Sequence, residues 1–180
     1  MQTKAHAVDV AQYILDKLPG DLSTIKLQKL VYYAKAWSLV WDEDPLFPER
    51  VEAWANGPVV PSLFALHRGQ FFAPKSILGA NTENLTQDQK ETIDIVLDSY
   101  GEKSPQYLVA LSHSERPWID ARGDCPAGQR CSAEITDDSI AEYYSGLKCA
   151  GKRKNSPPCP RAGKMSRKAP SRSMTALPCP

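Results

Sequence analysis

At 180 residues, 42% of them hydrophobic and 24% charged, the chain is long enough for one well-filled core and short for two. That composition excludes a fibrous or wholly disordered polymer. Its 22 basic and 21 acidic residues nearly cancel, yet nine basic and no acidic residues lie from Lys148 onward, which leaves residues 1–147 with a formal charge of −8. An acidic body followed by a basic tail makes two physical objects in one chain.

In chain order, Val8, Ala11, Ile14, Leu15 and Leu18 share one helical face, and Pro19-Gly20 stops that helix. Ser23 or Thr24 can cap the next one, which ends near Asp42. Leu27, Leu30, Val31, Ala34, Trp37 and Trp41 recur at steps of three and four and define its core stripe. Lys26, Lys29 and Lys35 are then expected on a solvated outer face. Pro45, Pro48, Gly57, Pro58 and Pro61 forbid further helix, so Val51–Trp54 reads as a strand, placed at a sheet edge by its prolines. Asn56-Gly57-Pro58 is a turn, and Pro61 opens a short helix. After a loop from Gly69 to Leu85, Thr86 and Gln89 form a capping box for a helix that buries Ile93, Val96, Leu97 and Tyr100 and ends at Gly101. Ser104-Pro105 starts another, with Leu108, Leu111 and Ser112 inward, and RPWIDAR makes a short one. Thr136 caps the last, with Asp137 and Asp138 at its positive end and Ile140, Tyr143, Tyr144 and Leu147 on its apolar side. The expected fold is mainly α: one helical domain over 1–147 with a minor extended element.

The tail, residues 148–180, holds six prolines and almost no large apolar side chains, so it cannot offset the entropy of ordering and is expected to be disordered. Its charge would let it bind nucleic acid, although it lacks aromatic residues for base stacking. Of five cysteines, Cys125 and Cys131 fall in the body with five residues between them, without the four close ligands a zinc site needs. They are expected as free thiols, and neither metal nor cofactor is implied. Met1–Val10 has no apolar segment of a secretory signal, and no apolar run approaches the roughly 20 residues a bilayer requires. A cytoplasmic protein without a membrane partner is the expectation.

Chemistry-bearing residues are few. His113, with Glu115, Arg116 and Asp120 near it, is the one constellation that resembles an active site. Ser112 and Ser114 adjoin it, but immediate neighbours on a helix do not face each other, so no nucleophile relay follows. A helix-ending imidazole serving backbone carbonyls is the favoured reading. Neither phosphate-binding glycine motif is present. The four tryptophans belong mostly to the core; Trp54, beside a rigid turn, is the leading candidate for a partly exposed anchor.

LQKLVYYAKAW, PLF and EAWANGPVVPSLF, followed by LSHSERPWIDAR at Leu111–Arg122 and ITDDSIAEYYSGL at Ile135–Leu147, resemble the Panacea domain. That is the SocA-like antitoxin family, also described as phage-associated GepA-like proteins. The resemblance covers about residues 7–147 in order and spacing. It implies an antitoxin rather than an enzyme, one that neutralises a cognate toxin protein by direct binding, with delivery to a cytosolic protease as a second route. An alternative is a nucleic-acid-binding regulator of its own operon acting through the basic tail. Candidate partner contacts are Tyr32, Tyr33, Trp54, Asn56, Gly57, Pro58, Val59, His113 and Trp118.

Overall fold

A computed structural model describes residues 4–126 and 128–149. The elements are α1 (Ala7–Lys17), α2 (Thr24–Trp41), β1 (Val51–Trp54), β2 (Gly57–Val59), α3 (Pro61–His67), a single 3-10 turn at Thr82–Asn84, α4 (Gln87–Tyr100), α5 (Pro105–His113), α6 (Arg116–Arg122), β3 (Glu134–Ile135) and α7 (Asp137–Cys149). The fold is mainly helical with one small antiparallel sheet, in the order β2-β1-β3. The disorder expected of the tail concerns residues 150–180, which lie outside the described residues.

Helix α2 is the axis of the domain. It packs against α1, α4, α5, α7 and β2, and every residue from Leu27 to Ser38 is buried. This corrects the expected solvated face: Lys29 and Lys35 are both 1% exposed, and only Lys26 is half-buried. The periodicity misleads because a helix enclosed on all sides must also bury its polar positions, and here each of them ties down a neighbouring segment. Lys35 Nζ donates to Glu49 O at 2.9 Å and pairs with Asp137 at 2.8 Å, joining the 42–50 loop and the first turn of α7. Ser38 donates to Asp44 O, while Ser23 rather than Thr24 caps the helix by accepting from the Lys26 amide.

The remaining helices start where their local chemistry places them. Thr86 and Gln89 form the reciprocal capping box, Ser104 accepts from the Tyr107 amide ahead of Pro105, and Thr136 accepts from the Ser139 amide. Strand β1 is the central strand, not an edge one. Pro45 and Pro48 precede it, and Pro58 falls on β2, where the edge tolerates it. Two-residue β3, formed by Glu134–Ile135, has too little sequence pattern to have been read.

An aromatic cluster fills the space between α2, α4 and α7. Tyr33 stacks on Tyr100 at 4.4 Å and 6°, and Trp37 Nε1 donates to the Tyr100 hydroxyl at 3.1 Å. Tyr32 and Tyr33 are fully buried, so neither presents a surface in this conformation and their expected contact role is corrected to a core one. Glu115 enters this cluster from the α5–α6 junction, and its Oε2 accepts from Tyr144 at 2.7 Å and Tyr33 at 3.4 Å. Burial pushes its carboxyl up to about 8, against hydrogen bonds from both tyrosines that favour the anion.

Raised folded-state affinity makes the native protein bind the extra proton between the unfolded value near 4.5 and about 8. Stability is therefore fullest below pH 4.5 on this account and falls as pH rises to 8, by on the order of a few kcal/mol. Thermal melts of Glu115→Gln should lose that downward slope; an unchanged slope would place the titrating group elsewhere.

Candidate functional site

Strands β1 and β2 meet through Ala55 and Asn56, after which Gly57 sits at φ +97°. Only glycine adopts that conformation cheaply. A Cβ there would come within 2.8 Å of Ser112 Oγ and of Lys29 Cε and Nζ, so α2 and α5 both press against the glycine. The Ala53 amide bonds Ala133 O on the β3 side, which makes the facing Ala53–Pro58 pair a non-hydrogen-bonded one. Pro58 therefore removes no bond between β1 and β2. In such a pair the carbonyls of Ala53 and Pro58 face away from each other and take their donors from outside the β1–β2 ladder.

Side chains satisfy them. Arg122 Nη1 donates to Ala53 O at 2.9 Å, Trp118 Nε1 to Trp54 O at 3.0 Å, and the His113 ring bonds the backbone of Ala55. From the other side Lys29 Nζ donates to Pro58 O at 2.8 Å, and Gln28 Oε1 accepts from the Val60 amide at 2.9 Å. His113 stacks on Trp118 at 4.1 Å and 14°, and the Arg122 guanidinium lies 5.0 Å over the same indole. The three side chains of the H…PW…AR segment thus form one layered clamp on successive residues of the hairpin.

Arg122 also donates to Pro126 O and Gln129 O, which folds the loop after α6 back against β1. In that loop the Cys125 thiol donates to Arg130 O at 3.7 Å, and its interaction with the neighbouring Cys131 thiol pushes Cys125 up. Cys131 is drawn down, chiefly by the Ala133 backbone; both thiols are free.

The residues around His113 do not assemble into a relay. Ser112 donates to Val109 O and Ser114 to Leu111 O, each within its own helix. Glu115 faces the tyrosines, and Arg116 pairs with Asp120 on an exposed turn. Burial lowers the pKa of His113, helped by the nearby cations of Lys29 and Arg122. Instead of serving its own helix end, the imidazole reaches across to the hairpin. Among the described residues no three His, Cys, Asp or Glu side chains gather as metal ligands would, and no helix is long and apolar enough to cross a membrane.

Beside the clamped hairpin lies a cleft of about 320 Å³ between the start of α2, the β1–β2 turn, α3 and the 125–131 loop. Ile25, Trp54, Val59 and Phe64 give its apolar surface, with Trp54 and Phe64 packed edge to face at 4.7 Å. Trp54 is half-buried and donates its N–H to Glu52 at 2.7 Å; Asn56 is exposed at the tip, whereas Gly57, Pro58 and Val59 are buried behind it. His113 and Trp118 are half-buried in the clamp.

At the floor, Gln28 Nε2 meets His67 Nε2 at 2.9 Å. Because the amide oxygen already serves Val60, Gln28 donates and His67 is the neutral tautomer with its proton on Nδ1. Burial lowers the pKa of His67, in keeping with that state. Sequence reasoning found Trp54, Asn56 and Val59 but missed Ile25, Gln28, Lys29, Phe64, His67 and Arg130. Only Gln28-Lys29, polar residues inside an apolar motif, carried a signal.

Residues 27–119 match the family described as Antitoxin SocA-like, Panacea domain, and the chain belongs to that family. A relative from Caulobacter vibrioides (strain NA1000 / CB15N), named Antitoxin SocA, is 34% identical over 126 residues, covering 61% of this chain and 66% of its own length. The chain thus spans just under two thirds of that relative. No solved structure matches it. The matched region contains the hairpin, all of the clamp except Arg122, and the cleft lining except for Thr24, Ile25, Gly128 and Arg130.

Two substitutions test the clamp. Gly57→Ala should cost roughly 2–4 kcal/mol in chemical denaturation, since it combines a positive φ with contacts too close for a methyl group; a loss under 1 kcal/mol would mean the hairpin gives way easily. Lys29 is held down to about 7 by burial, from 10.5 when exposed. The unfolded chain then binds the extra proton between those values, so stability rises with pH from 7 to 10.5. Lys29→Met should flatten that rise, and a slope that survives the substitution would contradict the assignment.

Proposed function

We propose that this chain is an antitoxin that neutralises a toxin protein by direct, stoichiometric binding in the cytoplasm, with no catalytic turnover. One observation carries the reading. The residues through which the chain resembles an antitoxin family converge on a single hairpin and hold it from both sides: Lys29 and Gln28 by one face, His113, Trp118 and Arg122 by the other. Those groups are committed to backbone carbonyls and amides, which suits a preformed surface better than a reaction centre.

Residues 1–147 are the binding body in this proposal. The formal charge of −8 on that body favours long-range attraction of a basic toxin. Delivery of the bound toxin to a cytosolic protease is compatible with the same surface. The operon-regulator alternative rests on residues 148–180 instead.

Co-expression with the product of the neighbouring gene tests the reading. The expected result is relief of its toxicity together with a stable complex on size-exclusion chromatography at a fixed ratio. Relief at strongly substoichiometric levels of this chain, without a complex, would point to turnover instead. Deleting residues 148–180 should leave neutralisation intact.

A further inference from the structure

The cleft differs from the rest of the body in charge. Residues 1–147 are strongly acidic, yet among the residues lining the cleft are Lys29 and Arg130 and no aspartate or glutamate. The nearest carboxylate on the β1 face, Glu52, is paired with Arg50 and accepts from the Trp54 indole. Arg130 is exposed at the mouth and makes no ion pair among the described residues. Lys29 and His67 are almost fully buried at the floor, so a cation entering the cleft would lose water there and find no lining carboxylate to pair with.

Its apolar surface also extends outward. Ile25 is exposed on the rim, and Thr24 binds Phe71 O through both its amide and its hydroxyl, which fixes the exposed Phe71–Phe72 pair beside that rim. A preformed apolar hollow with an aromatic border, and at its mouth the Arg130 guanidinium with no ion pair among the described residues, has a definite complement.

We propose that the cleft receives an acidic-hydrophobic segment of the toxin: one large apolar side chain seated between Trp54, Phe64 and Ile25, with a neighbouring carboxylate paired to Arg130. The proposal rests on the antitoxin reading and names the surface and the chemistry of the contact. It departs from the simplest electrostatic expectation, because an acidic body suggests a basic contact. The two act at different ranges. Net charge steers the approach of a basic partner, whereas the local lining selects which segment of it docks. Since the clamp holds the hairpin before binding, little ordering entropy is lost there, and the anchor's burial can appear as affinity. Anchors of this kind dominate binding energy when they fill a desolvated pocket.

The test uses full-length chain and the neighbouring gene's product, with affinity measured by calorimetry and neutralisation by co-expression. Arg130→Glu and Ile25→Glu change exposed residues, so their melting temperatures should match wild type; Asp98→Lys on α4, away from the cleft, is the control. Each cleft variant should weaken binding by about tenfold or more, the control by less than about twofold. Reversing one toxin carboxylate to lysine should restore affinity for Arg130→Glu. If wild type neutralises and both cleft variants bind as it does, or Arg130→Glu binds more tightly, the cleft assignment is overturned while the antitoxin reading stands. A wild-type chain that neither binds nor neutralises removes that reading and this one together.

Discussion

A hairpin of four- and three-residue strands leaves backbone carbonyls that its own ladder does not satisfy, and this domain is organised around supplying their donors. Carbonyls of Ala53, Trp54 and Pro58 each meet a side-chain donor, two of the donors from α6 and one from α2. Leaving any of them buried and unpaired would cost roughly 1–3 kcal/mol. Two helices are thereby held against one turn, at distances of 2.8–3.0 Å. Because the donors are long or aromatic side chains already packed against one another, the hairpin has few alternative positions.

The same logic explains a helix that would otherwise seem poorly designed for a core. Burying Lys29, Lys35, Gln28 and Ser38 around α2 is costly unless each finds a partner, and each finds one in a loop or strand that lacks helical bonding of its own. Two acid–base groups pay no such debt in charge: Lys29 is shifted down toward neutrality and Glu115 up toward protonation. These two are accommodated by favouring their neutral forms, whereas buried Lys35 is accommodated by its ion pair with Asp137.

Much of this was legible in the sequence, and what escaped has physical reasons. Helix starts were readable because capping is local: Thr86–Gln89 and Ser104-Pro105 are decided within four residues. The Panacea resemblance marked the right segments, but their purpose was hidden, since the clamp joins residues more than sixty positions apart. Lys29 and Lys35 were misplaced because a stripe rule assumes one wet face, and α2 has none. The same assumption left Tyr32 and Tyr33 open to a surface role. His67 and Arg130 belong to the cleft through tertiary approach alone, so no spacing in the chain could have announced them.

The central claim is that the hairpin is rigid before any partner arrives. Native-state amide hydrogen exchange on the isolated chain measures this directly, at the Ala53 and Val60 amides, which bond Ala133 O and Gln28 Oε1. The account predicts that both exchange only through global unfolding, with protection equal to that of the α2 core. Exchange many orders of magnitude faster, with protection gained only in complex, would show a hairpin ordered by its partner and contradict the claim.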